Sequence, residues 1–443
     1  MTDCNTKHIR FSSVGRKKVR ADFSGGNITS DAGALLLREA DKRLGLTESL
    51  AHCIADPREQ DQLTHSVLRM LRQRIYGIAL GYEDLNDHST LREDEIFKIL
   101  TEANEDLAST PTLCRFENRV DRKSLTRMSI ALVENFIASF ATPPEELILD
   151  FDATDDEVHG TQEGRFFHGY YDNYCFLPLY VFCGGRLLVA YLRPSNIDAS
   201  KHTRAILSLL VKRFREVWPN VRITVRGDSG FCRWETMRWC ERNRVDYIFG
   251  IARNTVLERL SERLTGKAKE EYEGTHQKQR IFGEFYYAAQ TWDVKRRIIV
   301  KAEHTEKGAN PRFVVTNLPG EPQYLYDEIY CQRGEMENRI KEQQIDLFAD
   351  RTSAHSFLAN QFRLLLAGAA YVLVEYIRRA GLANTELERA QAGTIRLKLF
   401  KIGARVIESA RRIVLHIASA YPYKEILTRV LERIRGAVSI TPT

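Results

Sequence analysis

The segment Leu147-Ile148-Leu149-Asp150-Phe151-Asp152-Ala153-Thr154 constrains this chain more than any other. Its apolar run reads as a core strand, and strand side chains alternate with period two, so Asp150 and Asp152 fall on one face. Carboxylates at the end of a buried strand are costly unless a cation or hydrogen bonds compensate them, which makes metal binding the natural hypothesis. Periodicity does not choose between the two acids.

Around this strand the hydrophobic period changes. From Glu146 onward, short β-type runs follow one another: Leu147 to Phe151, Phe176 to Phe182, Leu187 to Leu192, Val221 to Val225 and Val245 to Ile251. Gly184-Gly185 is a hairpin signal, and helical stretches at Ala205 to Val217 and Trp234 to Asn243 separate the later strands. The order β-β-β-α-β-α-β predicts a mixed sheet flanked by helices. A charged segment and two alternating β stretches, Arg280 to Ala288 and Arg296 to Ala302, then interrupt the pattern before Phe313 to Thr316 resumes it. We expect helices at Leu325 to Gln344 and Phe357 to Ile377.

Upstream, the chain reads as mainly helical after a short, basic, extended start. One helix is predicted near Thr64 to Ala79, stopped by Gly81, and another from Thr110 with Pro111 in its first turn. Arg115, Arg119 and Arg122 lie along the latter, either against DNA or as a solvated face. From Gly393 to the end, ten Lys/Arg stand against three acids, a net +7, so the remainder of a chain whose formal charge is +6 is nearly neutral. This tail, with Arg411 and Arg412, predicts sequence-independent phosphate contacts, or else a solvated surface.

At 443 residues and about 150 residues per domain, roughly three structural units are expected. The divisions we expect are a mainly helical domain whose Arg-bearing helix could lie against DNA (1–125), an α/β core in two parts (126–253 and 313–380) around a β-rich insertion (254–312), and a basic C-terminal hairpin and helix (381–443). Eight cysteines without a C-x-x-C pair indicate reduced thiols. Neither a leader-type apolar segment nor a run of 18 apolar residues is present. We therefore expect a cytoplasmic protein without a membrane partner.

Two further acids stand in suggestive settings. Asp228 follows the strand Val221 to Val225 within Arg226-Gly227-Asp228-Ser229-Gly230-Phe231, at a strand end where ligand sites collect; the bland reading is a turn or capping Asp. In Tyr330-Cys331-Gln332-Arg333-Gly334-Glu335-Met336-Glu337-Asn338-Arg339-Ile340-Lys341, helical spacing puts Tyr330, Arg333, Glu337 and Lys341 on one face, which would equally suit a salt-bridged surface stripe. Two carboxylates from a sheet and one from a helix are the hard oxygen donors that a pair of Mg2+ ions requires.

With these motifs in order, the chain resembles the DDE insertion-sequence transposases with a ribonuclease-H-like core, in the branch marked by a Tyr-x2-Arg-x3-Glu signature. The D-x-T at Asp152, the G-D-S-G-F at Asp228 and the signature at Tyr330, Arg333 and Glu337 carry the resemblance. Pro111-Thr112-Leu113 with Arg115 to Asn118, His168-Gly169-Tyr170 and Asn360-Gln361-Phe362-Arg363 look like the group that includes the transposase mobilising β-lactamase genes. A lysine usual seven residues beyond the Glu is here Gln344, with Lys341 four beyond as its substitute. The resemblance implies an α/β ribonuclease-H-like core that hydrolyses the inverted-repeat ends of a mobile element and transfers the 3'-hydroxyls to target DNA. It also implies two Mg2+ ions, replaceable by Mn2+, held by Asp152, Asp228 and Glu337, with Asp152 chosen over Asp150 by the D-x-T match and bridging both ions. Tyr330, Arg333 and Lys341 would meet phosphates and His159 the DNA near the metals. Trp292, in the insertion, would stack on a base or, more simply, belong to its core. Double-stranded DNA is the expected partner and a homodimer the expected assembly.

Two rival classes remain open at this stage. In a haloacid-dehalogenase-type phosphohydrolase, D-x-D-x-T supplies Asp150 as nucleophile and Asp152 as acid/base, although Cys232 stands where that scheme needs a further acid. The other rival is a catalytically silent DNA-binding descendant of a transposase.

Overall fold

The structure, a computed structural model, describes residues 9–59 and 63–436. Within them the chain divides into two compact units. One takes the residues up to Ala51, from Asp56 to Phe116 and from Leu373 onward; the other takes His52–Ala55 and Glu117–Val372.

The second unit is mixed α/β, built on a nine-stranded sheet. Its main strands are β1 (Glu146–Ala153), β2 (Leu179–Cys183), β3 (Arg186–Tyr191), β4 (Arg222–Gly227), β5 (Asp246–Ile251), β6 (Gln279–Tyr287), β7 (Arg296–Thr305) and β8 (Arg312–Thr316), in the spatial order β6-β7-β8-β5-β4-β1-β2-β3. β1, β2 and β3 form an antiparallel meander turning at Gly184, whose φ of +58° suits glycine. β4 runs parallel to both β1 and β5, reached through the helices Thr203–Val217 and Trp234–Arg242. Leu149, Phe151, Val181, Leu188, Leu207, Phe214, Ile223, Val225, Met237 and Phe249 are buried in one continuous core. The apolar runs at the sheet's centre are near-continuous because both faces are covered.

Three elements differ from expectation. The run Phe176 to Phe182 is broken: Asn173–Phe176 belongs to a separate three-stranded sheet, and β2 starts only at Leu179. Pro178 between them has no N–H to give a ladder. The charged stretch after Asn254 is a 21-residue helix, Thr255–Thr275, capped by Asn254 Oδ1, which accepts from the N–H groups of Val256 and Leu257. The segment expected as a β-rich insertion makes no sheet of its own, because β7 pairs with β8 and β8 with β5, so its strands extend the central sheet. Ile298, Ile299 and Val300 on β7 are all buried, as an interior strand requires.

In the first unit the helix Val67–Leu80 is capped by Ser66 and ended by Gly81 at φ +93°. The basic tail is built into this unit. Ala404–Ser409 pairs with both Arg412–Ile417 and Ile28–Thr29, Arg396 donates to the carbonyl of Ala79, and Arg433 to that of Gly381. Helix Lys424–Gly436 buries Val430 and Ile434, while its Arg435 meets Glu39 at 3.0 Å. An amphipathic helix needs a partner for its apolar stripe, and here the Ile377–Gly381 segment, with Gly381 under Val430, and the helix Leu35–Leu44 supply one.

The helical segment Phe357–Gly381 is long and apolar enough by composition to cross a membrane, but 78% of its apolar window is buried within the protein, as in a core helix.

Candidate active site

Parallel pairing of β1 and β4 sets Arg226 opposite Asp150 and Gly227 opposite Phe151, so β4 ends two residues before β1 and Asp228 leaves its strand next to the Asp152 end of β1. Asp150 and Asp152 have different fates. Asp150 is 2% exposed and takes a bidentate pair from Arg226, Nε to Oδ1 at 2.6 Å and Nη2 to Oδ2 at 2.7 Å. Burial pushes its carboxyl up and the Arg226 hydrogen bonds pull it back. Arg226 Nη1 also donates to the carbonyl of Ile329, so one buried guanidinium joins β1, β4 and the helical segment that carries Tyr330.

Asp228 fills the capping role that its turn predicts: Oδ1 accepts from Gly230 N at 2.8 Å, and the second oxygen has no hydrogen-bond donor among the described residues. Gly227 is required here, since a Cβ would lie 2.9 Å from Phe231 Cβ. On the neighbouring β5, a Cβ at Gly250 would lie 2.5 Å from Tyr330 Oη and 3.1 Å from Ser229 N. The phenol therefore lies over a bare patch of β5 beside the Asp228 turn. Arg226 and Gly250 line this candidate site although motif reading did not single them out; the signal for Gly250 was a glycine inside an otherwise bulky strand.

The third element is helical from 322 to 346, but π-helical over Leu325–Tyr330 and Glu342–Asp346 and α-helical over Gly334–Lys341. It brings Arg333 between two acids: Nη2 to Glu337 Oε1 at 2.6 Å and Nη1 to Asp152 Oδ2 at 3.4 Å. Burial pushes the Asp152 carboxyl up to about 7, Arg333 opposes this, and Asp228 and Glu337 add to it as like charges. Asp152, Glu337 and Asp228 in turn all favour the charged form of Arg333. The three acids thus share one electrostatic neighbourhood organised around a guanidinium. Among the described residues, however, no three His, Cys, Asp or Glu side chains approach closely enough to hold a metal ion. The donor chemistry suits a hard divalent cation; the carboxylates are spaced around Arg333.

The remaining predicted residues lie in varied settings. Lys341 is exposed, whereas Gln344 reaches the end of the β1 segment by donating to the carbonyl of Asp155 at 3.0 Å. His159 is exposed and neighbours Glu157 at 3.8 Å rather than the acids. Trp292 packs edge-on against Tyr287, with Arg296 5.7 Å from its ring and the core behind it. Arg115 is exposed, Arg119 half-buried, and Arg411 and Arg412 lie exposed at the tip of the C-terminal hairpin. The Asn-Gln-Phe-Arg motif is structural. Asn360 bonds both the N–H and carbonyl of Ala354, Gln361 bonds Leu192 N and the Ala190 carbonyl beside β3, and Arg363 meets buried Glu117 at 2.7 Å.

The site is thus a sheet ending in two aspartates, faced by a helix whose glutamate is linked to the first of them through Arg333. A family model described as "Transposase DDE domain group 1" matches residues 11–439. The chain belongs to this family and is a DDE-type DNA transposase, a class that works with divalent metal. A solved structure, the cryo-EM structure of the piggyBac transposase synaptic complex with hairpin DNA, is similar over 84% of this chain and 79% of that one, at 9% identity and a TM-score of 0.44. No curated protein matches the chain.

The phosphohydrolase alternative is overturned. Its nucleophile would be Asp150, whose carboxylate is buried and held at both oxygens by Arg226.

Proposed function

We propose that this transposase binds the terminal inverted repeats of its own element, cleaves them by two-metal phosphodiester hydrolysis and joins the freed 3'-hydroxyls to target DNA. The observation that carries the reading is the grouping of Asp152, Asp228 and Glu337 around Arg333 at the shared end of β1 and β4. The order β3-β2-β1-β4-β5, with the acids at one end, supports a ribonuclease-H-like core.

In this reading Asp152, Asp228 and Glu337 would hold two Mg2+ ions, for which Mn2+ could substitute. Such ions supply Lewis-acid stabilisation of the phosphoryl oxygens and a nucleophile at neutral pH. The protein's share is positional. Arg226 holds the Tyr330 segment against both strands, Gly250 makes room for the phenol, and Tyr330 and Arg333 offer donors to a backbone phosphate. Arg333 meanwhile neutralises acids that would otherwise repel one another. A homodimer is the assembly that joining two ends calls for, and the cytoplasm is the place we assign to it.

The test is to incubate purified protein with duplexes bearing the flanking inverted repeats and Mg2+, and to sequence the products. The reading predicts 3'-hydroxyl ends at the element boundary and their joining to new DNA. Binding without metal-dependent cleavage would identify a catalytically silent descendant instead.

A further inference from the structure

We propose that the N-terminal hairpin, residues 9–21, is a duplex-DNA-binding ribbon whose Arg10 and Arg20 share a backbone phosphate. The inference rests on the transposase reading and adds a binding site remote in sequence from the acids. Its two strands, Ile9–Val14 and Lys17–Ala21, pair with Ile9 opposite Ala21, Arg10 opposite Arg20 and Phe11 opposite Val19. Every strand residue except Val19 is exposed. Arg10, Arg16, Lys17, Lys18 and Arg20 give this segment five cations and no acid, and no carboxylate among the described residues pairs with any of them.

Three features show that the hairpin is incomplete by itself. Two-stranded hairpins alone are marginally stable in water. Like charges directly opposite one another weaken a strand pair, and Arg10–Arg20 is such a pair. Strand alternation leaves one face apolar with Ile9, Phe11 and Val19, of which Ile9 is 43% and Phe11 58% exposed, and the other cationic with Arg10, Lys18 and Arg20. An anion between the two guanidiniums turns their repulsion into attraction. A second copy of the ribbon could cover the apolar face but brings only cations and no anion to the Arg10–Arg20 face, so it does not meet this need. Duplex DNA does: its major groove admits a two-stranded ribbon, walls it on both sides with phosphates, and offers thymine methyls to apolar side chains.

The experiment measures the affinity of full-length protein for an end-bearing and an unrelated duplex across a salt series, together with its oligomeric state. In Arg10→Gln/Arg20→Gln, loss of the shared phosphate contact lowers the slope of log affinity against log salt by about 1, similarly for both duplexes. Arg10→Glu replaces a repelling cross-strand pair with an attracting one, so it firms the hairpin; it nevertheless weakens binding to both duplexes. A wild-type slope in the double variant overturns the proposal while leaving the transposase reading intact. So does weakened binding that tracks a change in oligomeric state, which would make the hairpin a protein contact. Wild-type protein that binds neither duplex overturns both readings together.

Discussion

Asp150 and Asp152 are two residues apart on one strand face, and their neighbours separate their roles. Arg226, directly across the parallel pair, saturates Asp150, which leaves Asp152 at the open end facing Arg333. Breaking a buried ion pair by removing one partner strands a charge and costs about 3–5 kcal/mol. Asp150→Ala is therefore expected to lower unfolding free energy by about that amount in urea titrations. Asp152→Asn, which removes a carboxylate crowded by Asp228 and Glu337, is expected to leave stability unchanged or raised while abolishing cleavage. Gly250→Ala pushes a methyl group against Tyr330 Oη and Ser229 N. We expect a fall in cleavage with a stability loss of only about 1–2 kcal/mol, in the range of small-to-large overpacking; wild-type cleavage in this variant would show that the phenol's seat is unimportant. The acids and the signature were readable as motifs. The choice between Asp150 and Asp152 was not readable from periodicity, because it depends on Arg226, 76 positions away, coming into register with β1.

At the scale of elements, strands with clear alternation or continuous apolar character were readable, as was the helix closed by Ser66 and Gly81. Reading failed where a tertiary partner decides. Pro178 divides one apolar run between two sheets, and β6 and β7 look like a separate module until β8 is seen to bridge them to β5. The signature segment combines both cases. Its Arg333–Glu337 pair is the expected i,i+4 contact, yet π-helical turns on either side, of a kind frequent at functional sites, bring Arg333 onto Asp152 as well. The short strand Asp156–Glu157 carries a further titratable group. Asp156 is buried beside Thr352 and the Asp350 carboxylate, and burial pushes its carboxyl well above the usual range. A raised folded-state value means that the folded protein binds the proton more tightly than the unfolded chain, so stability is full below the unfolded carboxylate range near pH 4 and falls as pH rises through the folded value. Asp156→Asn should flatten that fall in urea midpoints measured from pH 4 to 8, and an unchanged profile would place the loss elsewhere.

At the scale of the whole molecule, chain order and spatial order part company. The basic tail resembles an appendage in sequence, but Arg396, Ala404, Val430 and Ile434 knit it into the unit formed by the N-terminal segments. Truncation at Gly393 is thus expected to unfold that unit, seen as a lost cooperative transition in calorimetry. Arg411→Ser/Arg412→Ser, at the exposed hairpin tip, should leave folding intact and serve as the proper probe of tail–DNA contact. The central claim belongs to this scale too, since three acids from positions 152, 228 and 337 must act as one site. Its most direct measurement is cleavage of an inverted-repeat duplex in Mg2+ by Asp152→Asn, Asp228→Asn and Glu337→Gln, with duplex binding followed in parallel. The account predicts that each variant binds the duplex and none cuts it; wild-type cleavage by any one of the three would contradict it.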